Sequence, residues 1–493
     1  MQDYKNTLVE LFEYNAKIHA NREGIFFEDH VHTHAEIFLA LQVQAAALAE
    51  AGIKRGDRVL LLSGNRPEVL ILLGAVAWLG AILVPLNQRL SPTEMAQQAK
   101  DASARLVIVD EACSQVWSAA WPLGLPDVLH LSLAPSLGGN LICVGEPQNF
   151  KVARQDEASL AVLMLYTAAV EGHARGAVLS QAQLIASASQ TGDVWSLTVQ
   201  DRWLGVLPLF HAAGIGLALT VLYSGGACVL MPRFDPSAAV SAIETNGVTV
   251  CATFAPMLGA ILDAAETHLT EKPLVSLRIC TGLEPPGVID RLKNLCPNAN
   301  FWSAYGQAEV SSMVCLGNQA ERPGAAGLPI QPTQVRIQNV AGCPLDLGIE
   351  GEIAVKGPTV FLGYWDVEKQ QPFKPTDPWH RTGDMGRIDK DGWLWFTGRA
   401  AHKQLIKTGG ENVYPAEVEQ VLLDHPAIQE AFVFGHPDEK WGESVHAVCA
   451  LKKGLSVTSD ELMSFVLGRI ARYKCPKSFV FHQAPLDRSF KRL

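Results

Sequence analysis

Val69-Leu-Ile-Leu-Leu-Gly-Ala-Val-Ala-Trp-Leu-Gly-Ala-Ile-Leu-Val-Pro-Leu86 is an uncharged, strongly apolar run near the lower length limit for a membrane-spanning helix. Gly80 and Pro85 divide it into a helix-like first part and a strand-like second part, Ala81–Leu86. A wholly apolar helix running into a wholly apolar short strand is what a parallel sheet covered on both faces requires. The run therefore reads as a buried helix followed by a buried strand, with no stable membrane insertion.

The same pattern extends outward from this stretch. Residues 58–63, 105–110, 160–166, 227–232 and 278–283 are short apolar runs bounded by turn residues, with helix-like segments between many of them, such as 212–223 and 236–246. Alternation of this kind predicts α/β architecture with parallel sheets. From about 330 to 398 the pattern becomes β-rich, with a Lys390-Asp-Gly392 hairpin turn. Beyond about 400 a smaller α+β unit is expected, with helices near 416–424 and 458–472 and strands at 428–435 and 444–452. The expected domains are 1–402 and 403–493, because single cores stop growing at roughly 250–300 residues.

The formal net charge of −10 over 493 residues disfavours a nucleic-acid partner, which usually leaves a basic patch. Ten cysteines are scattered without a C-x-x-C pair, and the N-terminal stretch carries charges throughout. Both features fit idle thiols in a reducing, cytoplasmic compartment better than a disulfide framework or a zinc site. His30-Val-His-Thr-His34 could set three imidazoles on one strand face. A surface hairpin with incidental histidines is the preferred reading, because no fourth ligand lies nearby.

The segment from Leu165 to Ser180 follows an apolar strand and contains Gly172 and Gly176, so it could present backbone N–H groups to phosphate. It lacks the Walker pattern and is weak alone. It is followed by Leu207-Pro-Leu-Phe-His-Ala-Ala-Gly214, Tyr305-Gly-Gln-Ala-Glu309, Gly351–Pro358 and Gly363-Tyr-Trp365. Further on come His380-Arg-Thr-Gly-Asp384, Gly398-Arg399 and Lys407-Thr-Gly-Gly-Glu-Asn-Val-Tyr-Pro-Ala-Glu-Val-Glu419. In order and spacing this array resembles the adenylate-forming superfamily of acyl-CoA synthetases, adenylation domains and luciferases, over nearly the whole chain.

The resemblance implies a large N-terminal domain of several subdomains and a small mobile C-terminal lid. It implies a ligase that joins a carboxylic acid to CoA through an acyl-adenylate, using ATP and magnesium. By the same carry-over, Tyr305 stacks on adenine, Glu309 holds magnesium, Asp384 accepts the ribose hydroxyls and Arg399 bonds the nucleotide. Thr167, Arg175, Gly306 and Gly282-Leu283-Glu284 line the nucleotide site. Phe210, His211, Gly214 and Ala304 border the acid, His211 as a gate and not as a base. Gly409-Gly410 approaches the thiol path, Lys403-Gln404 is the hinge and Lys491 contacts the reacting groups. Amino-acid-activating relatives place an Asp where His211 stands. The acid expected here therefore lacks an α-amino group and is fatty or aromatic, since a buried ammonium without a partner is costly.

The chain departs from the family pattern in two places. Ala168, Ala169, Val170, Glu171 and Arg175 replace Ser, Gly, Thr, Thr and Lys of the phosphate loop, and Ala308 replaces a Thr. At the C-terminus Phe490 replaces a Gly before Lys491. These changes motivate two alternatives to the CoA ligase: an adenylating enzyme that loads a separate carrier protein, and a catalytically impaired nucleotide- or acyl-binding relative. The expected partners are the small-molecule acid, ATP and CoA, and a homodimer is left open.

Overall fold

The computed structural model describes residues 5–120, 129–133 (backbone), 153–155, 157–167, 174–268, 272–373, 376–400, 404–409, 411–438 and 441–482. The opening run folds as expected. Pro67–Leu79 is a helix buried at every position, ended by Gly80 in the left-handed region (φ 69°), where a glycine has no Cβ to clash. Ile82–Pro85 follows as a fully buried strand. No helix of the described residues is long and apolar enough to cross a membrane.

That strand belongs to an eight-stranded sheet. Five of its strands are parallel, in the order Ala161–Thr167, Ile82–Pro85, Arg58–Leu62, Leu106–Asp110 and Leu129–Leu133. Arg175–Ser180, Gly363–Asp366 and Gln371–Phe373 extend it antiparallel beyond Ala161–Thr167. A nine-stranded sheet has six parallel strands, in the order Asn300–Gln307, Ile279–Leu283, Val250–Phe254, Arg202–Gly205, Ala227–Leu230 and Glu23–Phe27. Its edges are antiparallel, formed by Ser312–Asn318 and Leu328–Pro329 on one side and His30–Thr33 on the other.

The helices Ala212–Tyr223 and Pro236–Asn246 lie where the sequence predicts them. The β-rich part is a four-stranded antiparallel sheet of Gln334–Gln338, Gly351–Lys356, His380–Ile388 and Leu394–Arg399. The histidine segment is a hairpin strand, His30–Thr33, and His34 already starts the next helix, so the three rings do not share a strand face. Among the described residues no cluster of His, Cys, Asp or Glu could hold a metal ion.

From Ile406 onward a five-stranded sheet packs with the helices Pro415–Leu423 and Ser459–Leu467. The second helix is shorter than the expected 458–472. It stops before Gly468, and the carbonyl of Arg469 accepts a hydrogen bond from Ser91 Oγ at 3.0 Å. This C-terminal part has its own hydrophobic cluster, with Ile406, Val413, Val418, Leu422, Ile428, Val433 and Leu462 among its members. None of its buried residues joins the three clusters formed by residues 8–394. Polar contacts cross between the two parts instead.

Candidate active site

The motif residues gather at the carboxyl ends of parallel strands, where open α/β sheets leave a crevice for ligands. Asn300–Gln307 carries Ala304, Tyr305 and Gly306 near its end, and Ile279–Leu283 carries Gly282 and Leu283. Gly282 (φ 136°) lies so close to the next strand that a Cβ there would come within 1.7 Å of the Thr253 carbonyl oxygen. Glu284 is buried. Its Oε1 accepts the Leu258 N–H at 3.2 Å, and burial raises its carboxyl above the usual range.

Tyr305, Asp384 and Arg399 form one linked group. The buried Tyr305 hydroxyl donates to Asp384 Oδ2 at 2.9 Å, and Arg399 Nε donates to Asp384 Oδ1 at 3.0 Å. Asp384 and Arg399 face each other across the antiparallel pair His380–Ile388 and Leu394–Arg399. Burial first, then the Asp384 carboxylate, pushes the Tyr305 phenol well above its ordinary value, so it acts as a donor. The arrangement fixes an aromatic ring beside a carboxylate whose two oxygens are both engaged.

Glu309 sits in the single 3₁₀ turn Ala308–Val310 that joins two antiparallel strands. It is only 4% exposed. Its Oε1 accepts the Tyr364 hydroxyl at 2.8 Å, and its backbone carbonyl accepts the Phe361 N–H at 2.9 Å. Two serines in the left-handed region, Ser311 (φ 60°) and Ser312 (φ 109°), complete the turn. Thr167 ends the strand that leads into the phosphate loop, and its hydroxyl donates to the Arg175 carbonyl at 3.3 Å. Ala168–Gly172, Lys403, Gly410 and Lys491 lie outside the described residues. Gln404 is exposed at the start of the C-terminal part.

His211 precedes the helix Ala212–Tyr223 as its N-cap residue, with the Phe210 ring centroid 4.5 Å from its own. Gly214 is required where the helix passes the preceding loop, because a Cβ would come within 2.1 Å of the Pro208 carbonyl oxygen. His211 Nε2 lies 3.6 Å from Glu411 Oε2 of the C-terminal part. Arg89 Nη1 donates to Glu411 Oε1 at 2.7 Å and Asn87 Nδ2 to Oε2 at 3.1 Å. Burial opposes the Glu411 charge, but His211 and Arg89 outweigh it and hold the carboxyl below its usual range.

A second bridge crosses nearby. Lys474 Nζ donates to Glu94 Oε1 at 2.5 Å and to Glu417 Oε1 at 2.6 Å, beside a cavity of about 280 Å³ that also borders Tyr166 and Ala174. Gly409 takes the left-handed conformation (φ 57°) and its N–H donates to the Trp441 carbonyl at 2.9 Å. Tyr414 and Lys407 lie close enough to Asp384 and Arg399 to feel both charges. The Tyr414 phenol is pushed up to about 12, mainly by burial, with Arg399 opposing and Glu309 adding.

Sequence reasoning assigned no role to Asn87, Arg89, Lys407, Glu411, Tyr414, Tyr364 or Lys474. Lys407, Glu411 and Tyr414 stand inside the quoted 407–419 motif, and Tyr364 inside Gly363-Tyr-Trp365. The motifs were therefore the available signal. For Asn87, Arg89 and Lys474 there was none.

A nucleotide-type crevice at strand ends, closed by a separately cored C-terminal part, defines an adenylate-forming enzyme. The family model described as AMP-binding enzyme matches residues 12–365, and the AMP-binding enzyme C-terminal domain matches 417–491. The chain belongs to the AMP-binding enzyme family. It is similar to a 2-succinylbenzoate–CoA ligase of Bacillus cereus, at 31% identity over 96% of this chain and 94% of that protein. It is also similar to a feruloyl-CoA synthase of an Amycolatopsis species, at 34% identity over 91% of this chain and 89% of the relative. The o-succinylbenzoate CoA synthetase of Bacillus subtilis is solved as a double mutant with a CoA-product analogue and, separately, with ATP and magnesium. This chain matches the first with a TM-score of 0.84 (97% of this chain, 96% of that one) and the second with 0.70 (96% and 95%), at 28% identity in both. The chain is an AMP-forming acid–thiol ligase: it activates a carboxylic acid with ATP and passes the acyl group to CoA.

Proposed function

We propose that the acid is aromatic and lacks an α-amino group. Near the crevice Phe254, Met257, Trp302 and Ala304 are half-buried apolar side chains packed against the main core. Where an ammonium partner would stand there is His211. The relatives named above act on 2-succinylbenzoate and ferulate.

In the first half-reaction a carboxylate oxygen attacks the α-phosphorus of ATP and pyrophosphate leaves. No base is needed; the requirement is to bring two anions together and stabilise the charge that develops. Tyr305 supplies a face for adenine, and Asp384 and Arg399 supply polar groups for the ribose and phosphate. Glu309 fits magnesium, a hard ion that takes carboxylate oxygen, because Tyr364 engages one of its oxygens and the other can meet the cation. When bound, magnesium neutralises phosphate charge. Lys491 is assigned to the same step.

In the second half-reaction the CoA sulfur attacks the acyl carbon and AMP leaves. We assign the arrangement seen here to this step and the domains to 1–402 and 403–493, with Lys403-Gln404 as the hinge. The observation that carries this reading is the contact of Glu411 with His211, Arg89 and Asn87. It draws the gate histidine toward the C-terminal part and brings the Gly409-Gly410 turn toward the crevice. The higher score against the CoA-product complex supports the same state. We place the protein in the cytoplasm.

The test is a panel of benzoate, cinnamate, succinylbenzoate and fatty acids, assayed for pyrophosphate release and, separately, for CoA thioester. Aromatic acids should give both products. A preference for fatty acids of any length overturns the substrate reading. Adenylate formation with transfer only to an added carrier protein favours the carrier-loading alternative.

A further inference from the structure

Arg175 stands where the family has a phosphate-loop lysine, yet its guanidinium carbon lies 3.7 Å from the centroid of the Tyr364 ring. The strand geometry produces this contact. Tyr364 is the register partner of Ala177, and Arg175 lies two residues before Ala177, on the same face of its strand. That diagonal neighbour is within reach of an aromatic ring. On another side the Phe361 ring meets Tyr364 edge-on at 4.9 Å. The ring so held places its hydroxyl 2.8 Å from Glu309 Oε1. A planar guanidinium stacks on a ring in a way that a lysine ammonium does not. The family's Lys-to-Arg change thus alters which group residue 175 serves.

We propose that Tyr364 is a positioning residue that orients the Glu309 carboxylate toward magnesium, and that Arg175 acts through Tyr364 and not as a direct phosphate ligand. The proposal rests on the assignment of Glu309 to magnesium. With the loop hydroxyls replaced, the chain binds the triphosphate more through its metal than through the loop. Tyr364 holds one carboxylate oxygen of Glu309, so the other is presented in a fixed direction. Arg175 and Phe361 keep the ring from rotating away.

Calorimetry on the full chain tests this, with ATP plus magnesium, ATP plus EDTA, and AMP plus EDTA as the titrants. Tyr364→Phe should weaken binding of ATP with magnesium about tenfold, which is about 1.4 kcal/mol. It should leave both metal-free titrations unchanged. Arg175→Ala should show the same pattern at about threefold, Arg175→Lys should recover less than half of the loss, and the double variant should bind no more weakly than Tyr364→Phe alone. Equal weakening of the metal-free and magnesium titrations by Arg175→Ala makes it a phosphate ligand and overturns the proposal. Additive losses in the double variant overturn it as well. Glu309→Gln separates the two layers. If it abolishes the magnesium effect while Tyr364→Phe does not, the positioning role fails and the metal assignment stands. If Glu309→Gln leaves the magnesium effect intact, the metal assignment fails and this proposal with it.

Discussion

Glu411→Gln isolates the contact between the two parts of the molecule. The side chain is nearly isosteric, and its amide oxygen can still accept the Asn87 bond, so the change removes mainly charge. Glu411 is 5% exposed, whereas its partners Arg89 and His211 are 51% and 40% exposed. Hydrogen bonds to charged groups contribute roughly 1.5–3 kcal/mol, and a fully exposed ion pair contributes roughly 0–1 kcal/mol. With one partner buried and the others half in water, a loss of about 2 kcal/mol is expected. That is up to about thirtyfold in the population of this arrangement. Single-turnover mixing separates the steps: pyrophosphate release should change less than about twofold, while thioester formation from preformed adenylate slows by up to that factor. Equal slowing of both steps, or no slowing of transfer, refutes the assignment of this contact to the second half-reaction.

Three further outcomes are expected. His34 is buried, with Nε2 3.3 Å from the Gly225 carbonyl, and burial lowers its imidazole from 6.5 to about 4. The neutral ring therefore contributes stability that is intact above pH 6.5 and lost as pH falls toward 4, about 2–3 kcal/mol in urea unfolding, and His34→Gln should remove that slope. Gly306→Ala would bring a Cβ within 1.6 Å of the Ser312 carbonyl oxygen, backbone against backbone; overpacking of about 1–3 kcal/mol should lower the melting temperature and displace Tyr305 and Glu309, with loss of pyrophosphate release. Among the described thiols Cys343 is exposed and the others are buried, with Cys251 and Cys449 pushed up to about 12 by burial, so a thiol reagent should label Cys343 first by mass spectrometry.

The fold was legible where local pattern and tertiary need coincide. The run 69–86 had only one way to bury a charge-free helix and strand together, and 212–223 has the length and composition of its observed helix. The helix after Thr458 was overextended because periodicity does not register that Gly468 weakens it and that the Arg469 carbonyl is taken by Ser91. The Glu411 contacts with Asn87 and Arg89 join residues more than 300 positions apart, and nothing in a single chain pairs them. The role of Arg175 shows the same limit. Its place in the loop pattern suggested phosphate, while the strand register that sets it on Tyr364 is a property of the folded sheet.

The separate hydrophobic cluster of the C-terminal part has a thermodynamic consequence. The described bonds across the boundary come from Arg89, Asn87, Ser91, Glu94, Glu411 and Lys474, while the apolar clusters stay on their own sides. Opening this boundary hydrates ions and exposes little oil. The heat-capacity change of reorientation is then small, and its equilibrium constant varies weakly with temperature through that term. Ionic strength becomes the effective control, because the attractions that weaken are between partly solvated charges within a Debye length. The balance between the two half-reactions is therefore set by the salt of the compartment more than by its warmth.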